Sequence, residues 1–141
     1  MAVRGIRGAT TVEVDLAEDI VTATQELLEA LIAANGIRPE DVAGAWFTTT
    51  KELHAEYPAI AARKLGWTEV PLLCGLEMDV DPSNPRSIPM CIRVMVLLNC
   101  DRAATDMTFV YLRRAEEIKA DLDDLRRQRA GESMVRDEGL D

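Results

Sequence analysis

The segment from Met90 to Leu98 contains a single arginine, Arg93, within an otherwise apolar run. The length of this run and its isoleucine and valine content are typical of a strand that is buried on both faces. An arginine side chain keeps its charge inside a protein, and burying that charge without an anionic partner is very costly. Arg93 therefore requires an anion.

Two kinds of anion satisfy this requirement. The first is a carboxylate of the chain itself, which has 25 acidic residues, so that Arg93 would form an ion pair in the core. The second is an acidic ligand that binds in a pocket lined by Arg93. Convergence of further arginines and polar groups on the same place would favour the ligand.

The composition of the chain excludes several classes of function. Its 141 residues, 48% of them hydrophobic, predict one domain with a substantial core. The net charge of −9 argues against binding of nucleic acid or of an anionic membrane, so a few local arginines must gather any anionic ligand. The sequence has neither a signal-peptide pattern nor an apolar run long enough to span a bilayer, and we expect a cytoplasmic location.

The cysteine and histidine content argues against nucleophilic and metal chemistry. Cys74, Cys91 and Cys100 lack the Cys-x-x-Cys spacing, which predicts neither a disulfide framework nor a zinc site. His54 is the only histidine, so a catalytic triad could be built only through it, and no neighbouring residue supports one.

Apolar periodicity predicts about five strands and one long helix. The helix extends from Leu16 to Asn35, with Asp15 as its N-cap and Gly36 as its stop. Alternation along the strands places Arg4 and Arg7 on opposite faces. It also separates Cys74 from Glu77, unless a bulge at Gly75 brings both to one site. A proline-rich loop covers residues 81–89, and a short helix lies between Pro58 and Gly66. The predicted strands are Ala2–Val12, Val42–Thr49, Val70–Met78, Met90–Leu98 and Thr108–Leu112.

These elements predict an α/β (α+β) domain over residues 1–125, with a mixed sheet of about five strands and one long helix on one face. One helix cannot cover both faces of the sheet, yet the strand with Arg93 is apolar on both sides. We therefore expect the uncovered face to be buried by self-association into a closed homo-oligomer. Residues 126–141 are charged and are expected to form a mobile tail.

The segments that carry a resemblance to a known family are, in chain order, Arg4-Gly-Ile-Arg-Gly-Ala-Thr-Thr-Val-Glu, Leu53-His-Ala, Tyr57-Pro-Ala with Arg63, Val70-Pro, Cys74, Glu77-Met-Asp-Val, Cys91-Ile-Arg-Val-Met and Val110-Tyr-Leu. They resemble the monofunctional chorismate mutases of the trimeric pseudo-α/β-barrel class, which are distinct from the all-helical mutases. The resemblance extends from Arg4 to about Leu122, and its specificity lies in the combination of the segments.

The resemblance implies a homotrimeric pseudo-barrel with an active site in each intersubunit cleft. It also implies conversion of chorismate to prephenate, on the route to phenylalanine and tyrosine, without a cofactor or a metal. The implied site residues are Arg7 and Tyr111 for a substrate carboxylate, Arg93 for the ether oxygen and a carboxylate, Cys74 and Glu77 for the ring hydroxyl, Tyr57 and Arg63 for the mouth, and Leu73, Ile118 and Lys119 as further substrate contacts.

The sequence departs from the family pattern at three positions. Tyr57 stands where members often have phenylalanine, Ile60 replaces a basic residue that is common at the cleft rim, and Lys119 stands where an arginine is usual. The last two bear on how the substrate dianion is steered into the cleft. They leave the chemistry at its centre unchanged.

The reaction is consistent with the residues. A unimolecular [3,3] rearrangement needs no acid, base or nucleophile, but it needs a folded conformer of the substrate and a cation near the ether oxygen. Arginine supplies such a charge, and the two carboxylates of chorismate would explain several arginines in one cleft. Two alternatives are a trimeric binding protein without catalysis and an imine/enamine deaminase of similar architecture. The Cys74 and Glu77 pair and the segment around Arg7 favour the mutase.

Overall fold

The computed structural model describes residues 1–138, and its five strands form one mixed sheet in the order β3-β2-β4-β1-β5. β4 pairs antiparallel with β1 on one side and with β2 on the other. β3 and β5 are added in parallel to β2 and β1 at the two edges. The strand that carries Arg93 is therefore the central one. The strands are β1 (Ala2–Thr11), β2 (Val42–Thr49), β3 (Leu72–Leu76), β4 (Cys91–Cys100) and β5 (Val110–Tyr111).

In the part of the chain that the structure describes, three helices accompany the sheet: α1 (Ala17–Asn35), α2 (Ala59–Lys64) and α3 (Glu116–Glu138). The predicted α1 and β2 are confirmed, whereas β3 and β5 are shorter than predicted. Short 3₁₀ turns lie at Pro39–Asp41, Ala104–Asp106 and Arg113–Ala115. Among the helices within residues 1–138, none combines the length and the apolar character that crossing a membrane requires.

Helix α1 covers one face of the sheet. Leu27 and Leu31 of this helix are completely buried, and they belong to the same core cluster as Ile6 of β1 and Val96 of β4. Gly36 ends the helix in the left-handed conformation, with φ of 63°, and its N–H donates to the carbonyl of Ile32. The predicted helix stop is confirmed.

The predicted N-cap is wrong. Leu16 occupies the N-cap position of α1 and makes no side-chain capping hydrogen bond. The carboxylate of Asp15 instead accepts hydrogen bonds from the backbone N–H groups of His54 and Ala55, both at 3.0 Å. A tertiary contact with a loop far along the chain has displaced the local capping interaction.

Gly8 in β1 lies close to side chains of α1 and to the backbone of β5. A Cβ atom at this position would lie 2.9 Å from Cδ1 of Leu31 and 3.2 Å from the carbonyl oxygen of Val110. We expect Gly8→Ala to lower the free energy of unfolding by about 1–3 kcal/mol, because the added methyl group overpacks this contact. Urea denaturation monitored by circular dichroism measures the change.

Gly131 in α3 is the matched control, because a Cβ atom there meets nothing within 4 Å. Gly131→Ala is expected to raise the stability by about 0.5–1 kcal/mol through helix propensity alone. Equal urea midpoints for Gly8→Ala and the unmodified protein would contradict the close approach of α1.

The face of the sheet opposite α1, called the outer face below, is only partly covered within the chain. Ile92, Val94 and Val96 of β4 are buried, whereas the alternate residues Arg93 and Met95 are partly exposed. Trp46 and Leu73 on neighbouring strands are 46% and 60% exposed. The prediction that the Arg93 strand is buried on both faces therefore holds on the α1 side only, within a single chain.

Helix α3 occupies much of the segment that was predicted to be a mobile tail. The helix continues from Glu116 to Glu138, and its side chains are exposed from Asp124 to Glu132. Residues 126–138 are thus helical, where the sequence predicted a charged tail without regular structure. Their mobility and the domain boundary at residue 125 stay predictions, and residues 139–141 lie outside the described residues.

Candidate active site

A cavity of about 200 Å³ lies on the outer face, where β1, β2, β4 and β5 are side by side. The structure brings five of the predicted site residues together around this cavity. They are Arg7, Glu77, Arg93, Tyr111 and Ile118.

The strand register explains why these side chains converge. Ala9 of β1 pairs with Arg93 of β4 on one side and with Tyr111 of β5 on the other, so all three side chains project from the same face. The small alanine leaves the space between the two larger residues open. Arg7, two residues before Ala9, projects from the same face and pairs with Met95.

Glu77 directly follows β3 and is held beside Arg93. Its backbone N–H donates to the carbonyl of Thr49 at 2.9 Å, and its Oε2 accepts a hydrogen bond of 2.7 Å from the Thr48 hydroxyl. The same oxygen lies 3.5 Å from Nε of Arg93, and both side chains of this ion pair are 28% exposed. Arg93 therefore meets both expectations at once, since it has a carboxylate partner in the chain and also lines a cavity.

Two buried polar atoms at the cavity have no hydrogen-bond partner within the described residues. They are Nε of Arg93 and the hydroxyl oxygen of Tyr111, whose side chain is only 7% exposed. Leaving a buried donor unsatisfied is costly, and native proteins rarely do so without a reason. Both residues line the cavity.

The charges around the cavity favour an anionic ligand. Glu77 is the sole carboxylate within ion-pairing distance of Arg93 among the side chains described, those of residues 1–132. Arg7 adds a second guanidinium that forms no ion pair with the described part of the chain. Two arginines against one carboxylate give the cavity a local positive charge in a protein with a net charge of −9.

Cys74 and Tyr57 lie in a different cavity of about 370 Å³, which His54 and Leu76 also line. Cys74 pairs with Phe47, and the ladder between β2 and β3 runs without a register shift from Leu72 to Leu76. The ladder thus contains no bulge at Gly75, the feature that would have brought Cys74 and Glu77 to one site. Within one chain, Cys74 projects from the α1 side of the sheet and does not meet Glu77.

The environment of Cys74 keeps its thiol neutral. Burial raises the pKa of this thiol, and a hydrogen bond with the backbone of Ala59 and the positive charge of Arg63 only partly offset that effect. A neutral thiol is a weak nucleophile but can form a hydrogen bond with a ligand. Arg63, an exposed residue of α2, is thus close enough to Cys74 to influence it electrostatically.

The two remaining predicted residues lie elsewhere. Leu73 projects from the outer face beside Trp46, with which it pairs. Lys119 is exposed on α3, one residue after Ile118, and does not line the cavity around Arg93.

Trp46 and Thr48 also line the cavity around Arg93, although neither was among the residues predicted from the sequence. They pair with Met95 and Arg93 on β4 and so share the outer face with the two arginines. The sequence pattern places Trp46 and Thr48 on the same face of β2. Only the pairing of β2 with β4 shows that this face borders the cavity around Arg93.

The fold and the site define an α+β protein with an arginine-lined cavity on the uncovered face of its sheet. The family described as chorismate mutase type I matches residues 3–122, and the chain belongs to this family. The resemblance drawn from the sequence is thereby confirmed.

Similar proteins agree with this assignment. The chain is 43% identical over 123 residues to the chorismate mutase AroH of Bacillus subtilis (strain 168), covering 86% of this chain and 94% of that protein. It is 46% identical over 122 residues to the chorismate mutase AroH of Thermus thermophilus, covering 86% and 97%. A solved chorismate mutase from Clostridium thermocellum has a TM-score of 0.75 and 46% identity, covering 79% of this chain and 96% of that chain.

Proposed function

We propose that this chorismate mutase family member converts chorismate to prephenate in the cavity around Arg93. The observation that carries the proposal is a pair of buried polar atoms that make no hydrogen bond within the described residues, Arg93 Nε and the Tyr111 hydroxyl, in side chains that line one cavity together with Arg7. A dicarboxylate with an ether oxygen supplies the acceptors that these groups lack.

The rearrangement breaks one carbon–oxygen bond and forms one carbon–carbon bond in a single cyclic step, with no proton transfer. Partial negative charge develops on the ether oxygen as its bond to carbon breaks. A fixed guanidinium beside that oxygen stabilises the transition state more than it stabilises the bound substrate. We assign this role to Arg93, whose position Glu77 helps to hold.

The other groups at the cavity bind and orient the substrate. We assign one carboxylate of chorismate to Arg7 and Tyr111. Oε2 of Glu77 is engaged with Thr48 and Arg93, so Oε1 is the oxygen that would accept a hydrogen bond from the ring hydroxyl. Ile118 on α3 supplies an apolar wall.

The cavity that Arg7, Arg93 and Tyr111 line together is smaller than most small-molecule sites. Small-molecule sites commonly enclose about 300–1,000 Å³, whereas this cavity measures about 200 Å³. The exposed Trp46 and Leu73 on the same face offer apolar surface for another subunit. We therefore propose a homotrimer in which the cavity that contains Tyr57 and Cys74 on one subunit completes the Arg93 cavity of its neighbour.

Incubating the purified protein with chorismate tests the proposal. We expect the ultraviolet absorbance of chorismate to fall and prephenate to appear, without added metal or cofactor. A binding protein without catalysis would leave the absorbance unchanged, and a deaminase would instead release ammonia from an imine substrate. A folded, oligomeric protein that makes no prephenate would contradict the proposed function.

The proposed location is the cytoplasm. The three cysteines are free, which suits a reducing compartment.

A further inference from the structure

Met90, directly before β4, has an unusual backbone conformation. Its φ is 55°, and within residues 1–138 only one other residue apart from glycine, Arg113, has a positive φ. Residues with a Cβ atom rarely adopt this conformation, because Cβ approaches the neighbouring carbonyl oxygen too closely. The surrounding structure must therefore hold Met90 in place.

The loop after β2 supplies the groups that hold it. Oε1 of Glu52 accepts a hydrogen bond of 2.7 Å from the Met90 N–H. The hydroxyl of Thr50 accepts one of 3.0 Å from the N–H of Cys91, while the Thr50 N–H donates to the Cys91 carbonyl at 3.0 Å. The Met90 carbonyl in turn accepts a hydrogen bond of 3.0 Å from the Val12 N–H. Every polar backbone group of Met90 is thus engaged at the start of β4.

Glu52 is the one charged member of this arrangement. Although burial raises the pKa of its carboxyl group, hydrogen bonds from the Met90 N–H, from its own N–H and from Thr50 lower that pKa below its ordinary value. Glu52 is therefore ionised at neutral pH, and its hydrogen bond with Met90 is charge-assisted. Glu52 also lines a groove of about 540 Å³ together with Glu77 and Arg93.

We propose that Glu52 is a positioning residue for Arg93. Its carboxylate holds Met90 in the left-handed conformation, and this determines the direction in which β4 enters the sheet and the place from which Arg93, three residues later, reaches the cavity. The expected kinetic effect rests on the proposed function. The proposal adds Glu52 to that function as a residue that acts through Arg93 and does not touch the substrate. If strand pairing with Ala9 and Thr48 were sufficient to place Arg93, Glu52 would matter for stability alone.

Steady-state kinetics of four variants test the proposal. We expect Glu52→Ala to lower kcat by about 10- to 100-fold, because a small displacement of a catalytic group is costly, with little change in KM. Glu52→Gln is expected to keep most of the activity, because its amide oxygen can still accept the Met90 N–H. Glycine adopts a positive φ without a Cβ clash, so Met90→Gly added to Glu52→Ala should restore a substantial part of kcat.

Asp106 provides the matched control, as its carboxylate accepts a hydrogen bond of 3.2 Å from the Ala103 N–H in an exposed turn away from the cavity. Asp106→Ala is expected to leave kcat unchanged. A normal kcat for folded Glu52→Ala would overturn the positioning role. So would a loss that Met90→Gly does not relieve, since that would indicate a direct effect of the Glu52 charge.

A nuclear magnetic resonance measurement keeps the proposal testable without catalysis. The Nε–H resonance of Arg93 in the 15N-labelled protein can be assigned by its absence in Arg93→Lys. We expect this resonance to shift in Glu52→Ala, to return toward its original position in the double variant, and to stay in place in Asp106→Ala. An unshifted resonance in Glu52→Ala would overturn the positioning role, whether or not the protein makes prephenate. Failure to make prephenate would refute the proposed function and leave this measurement unaffected.

Discussion

Replacement of Arg93 with alanine is expected to lower kcat by at least about 10²–10³, because the loss of one preorganised donor to a developing oxyanion already costs that much. KM should rise far less, since the charge on the ether oxygen grows only as the bond breaks. Steady-state kinetics with chorismate, together with thermal unfolding of the same preparation, measures both effects.

Two further substitutions at this position separate charge from hydrogen bonding. Citrulline keeps much of the hydrogen bonding of arginine but is neutral, so it should be nearly as damaging as alanine. Arg93→Lys should recover only part of the loss, because an ammonium group lacks the planar two-pronged geometry of the guanidinium.

Arg4 is the control for removing an arginine from the sheet. It lies on β1 three residues before Arg7, and its Nε donates to the carbonyl of Arg102 at 2.9 Å. Arg4→Ala is expected to leave kcat unchanged. If Arg93→Ala proves destabilised but kinetically normal, Arg93 serves only as the partner of Glu77, and the catalytic assignment fails.

Mixing two inactive variants should restore activity if each site is shared between subunits. Arg93→Ala removes the catalytic charge on the outer face, and Arg63→Glu places a repelling charge beside Cys74, which we expect to lower kcat/KM by about 10²-fold or more. In randomly mixed oligomers about a quarter of the sites would combine an intact Arg93 with an intact Arg63 from the neighbouring subunit. Joint unfolding and refolding, followed by the chorismate assay, measures the recovery.

A second mixture shows whether the recovery has the proposed cause. Arg93 and Arg7 line the same cavity of one chain, so mixing Arg93→Ala with Arg7→Ala cannot create an intact site. We expect no recovery from this pair. Sedimentation velocity should show trimers in both mixtures. Recovery in the second mixture, or its absence in the first despite mixed trimers, would contradict a site between subunits.

The sequence by itself determined the elements that depend on neighbouring residues. The bounds of β2 and the end of α1 at Gly36 follow from apolar period and turn chemistry, which act over a few positions. The requirement of Arg93 for an anion follows from the cost of burying its charge, wherever the strand lies. The combination of segments along the chain also indicated the family, which the later comparison confirmed.

Only the tertiary structure decided which residues become neighbours. A period of two assigns residues to a face but does not say which strand lies alongside, because the pairing hydrogen bonds join residues far apart in the chain. The pairing of Arg93 with Ala9 and Thr48 brings the cavity together and adds Thr48 to it. The unshifted ladder of β3 keeps Cys74 away from Glu77, and the long-range contact of Asp15 replaces its predicted capping role. Each outcome depended on a partner that local sequence does not specify.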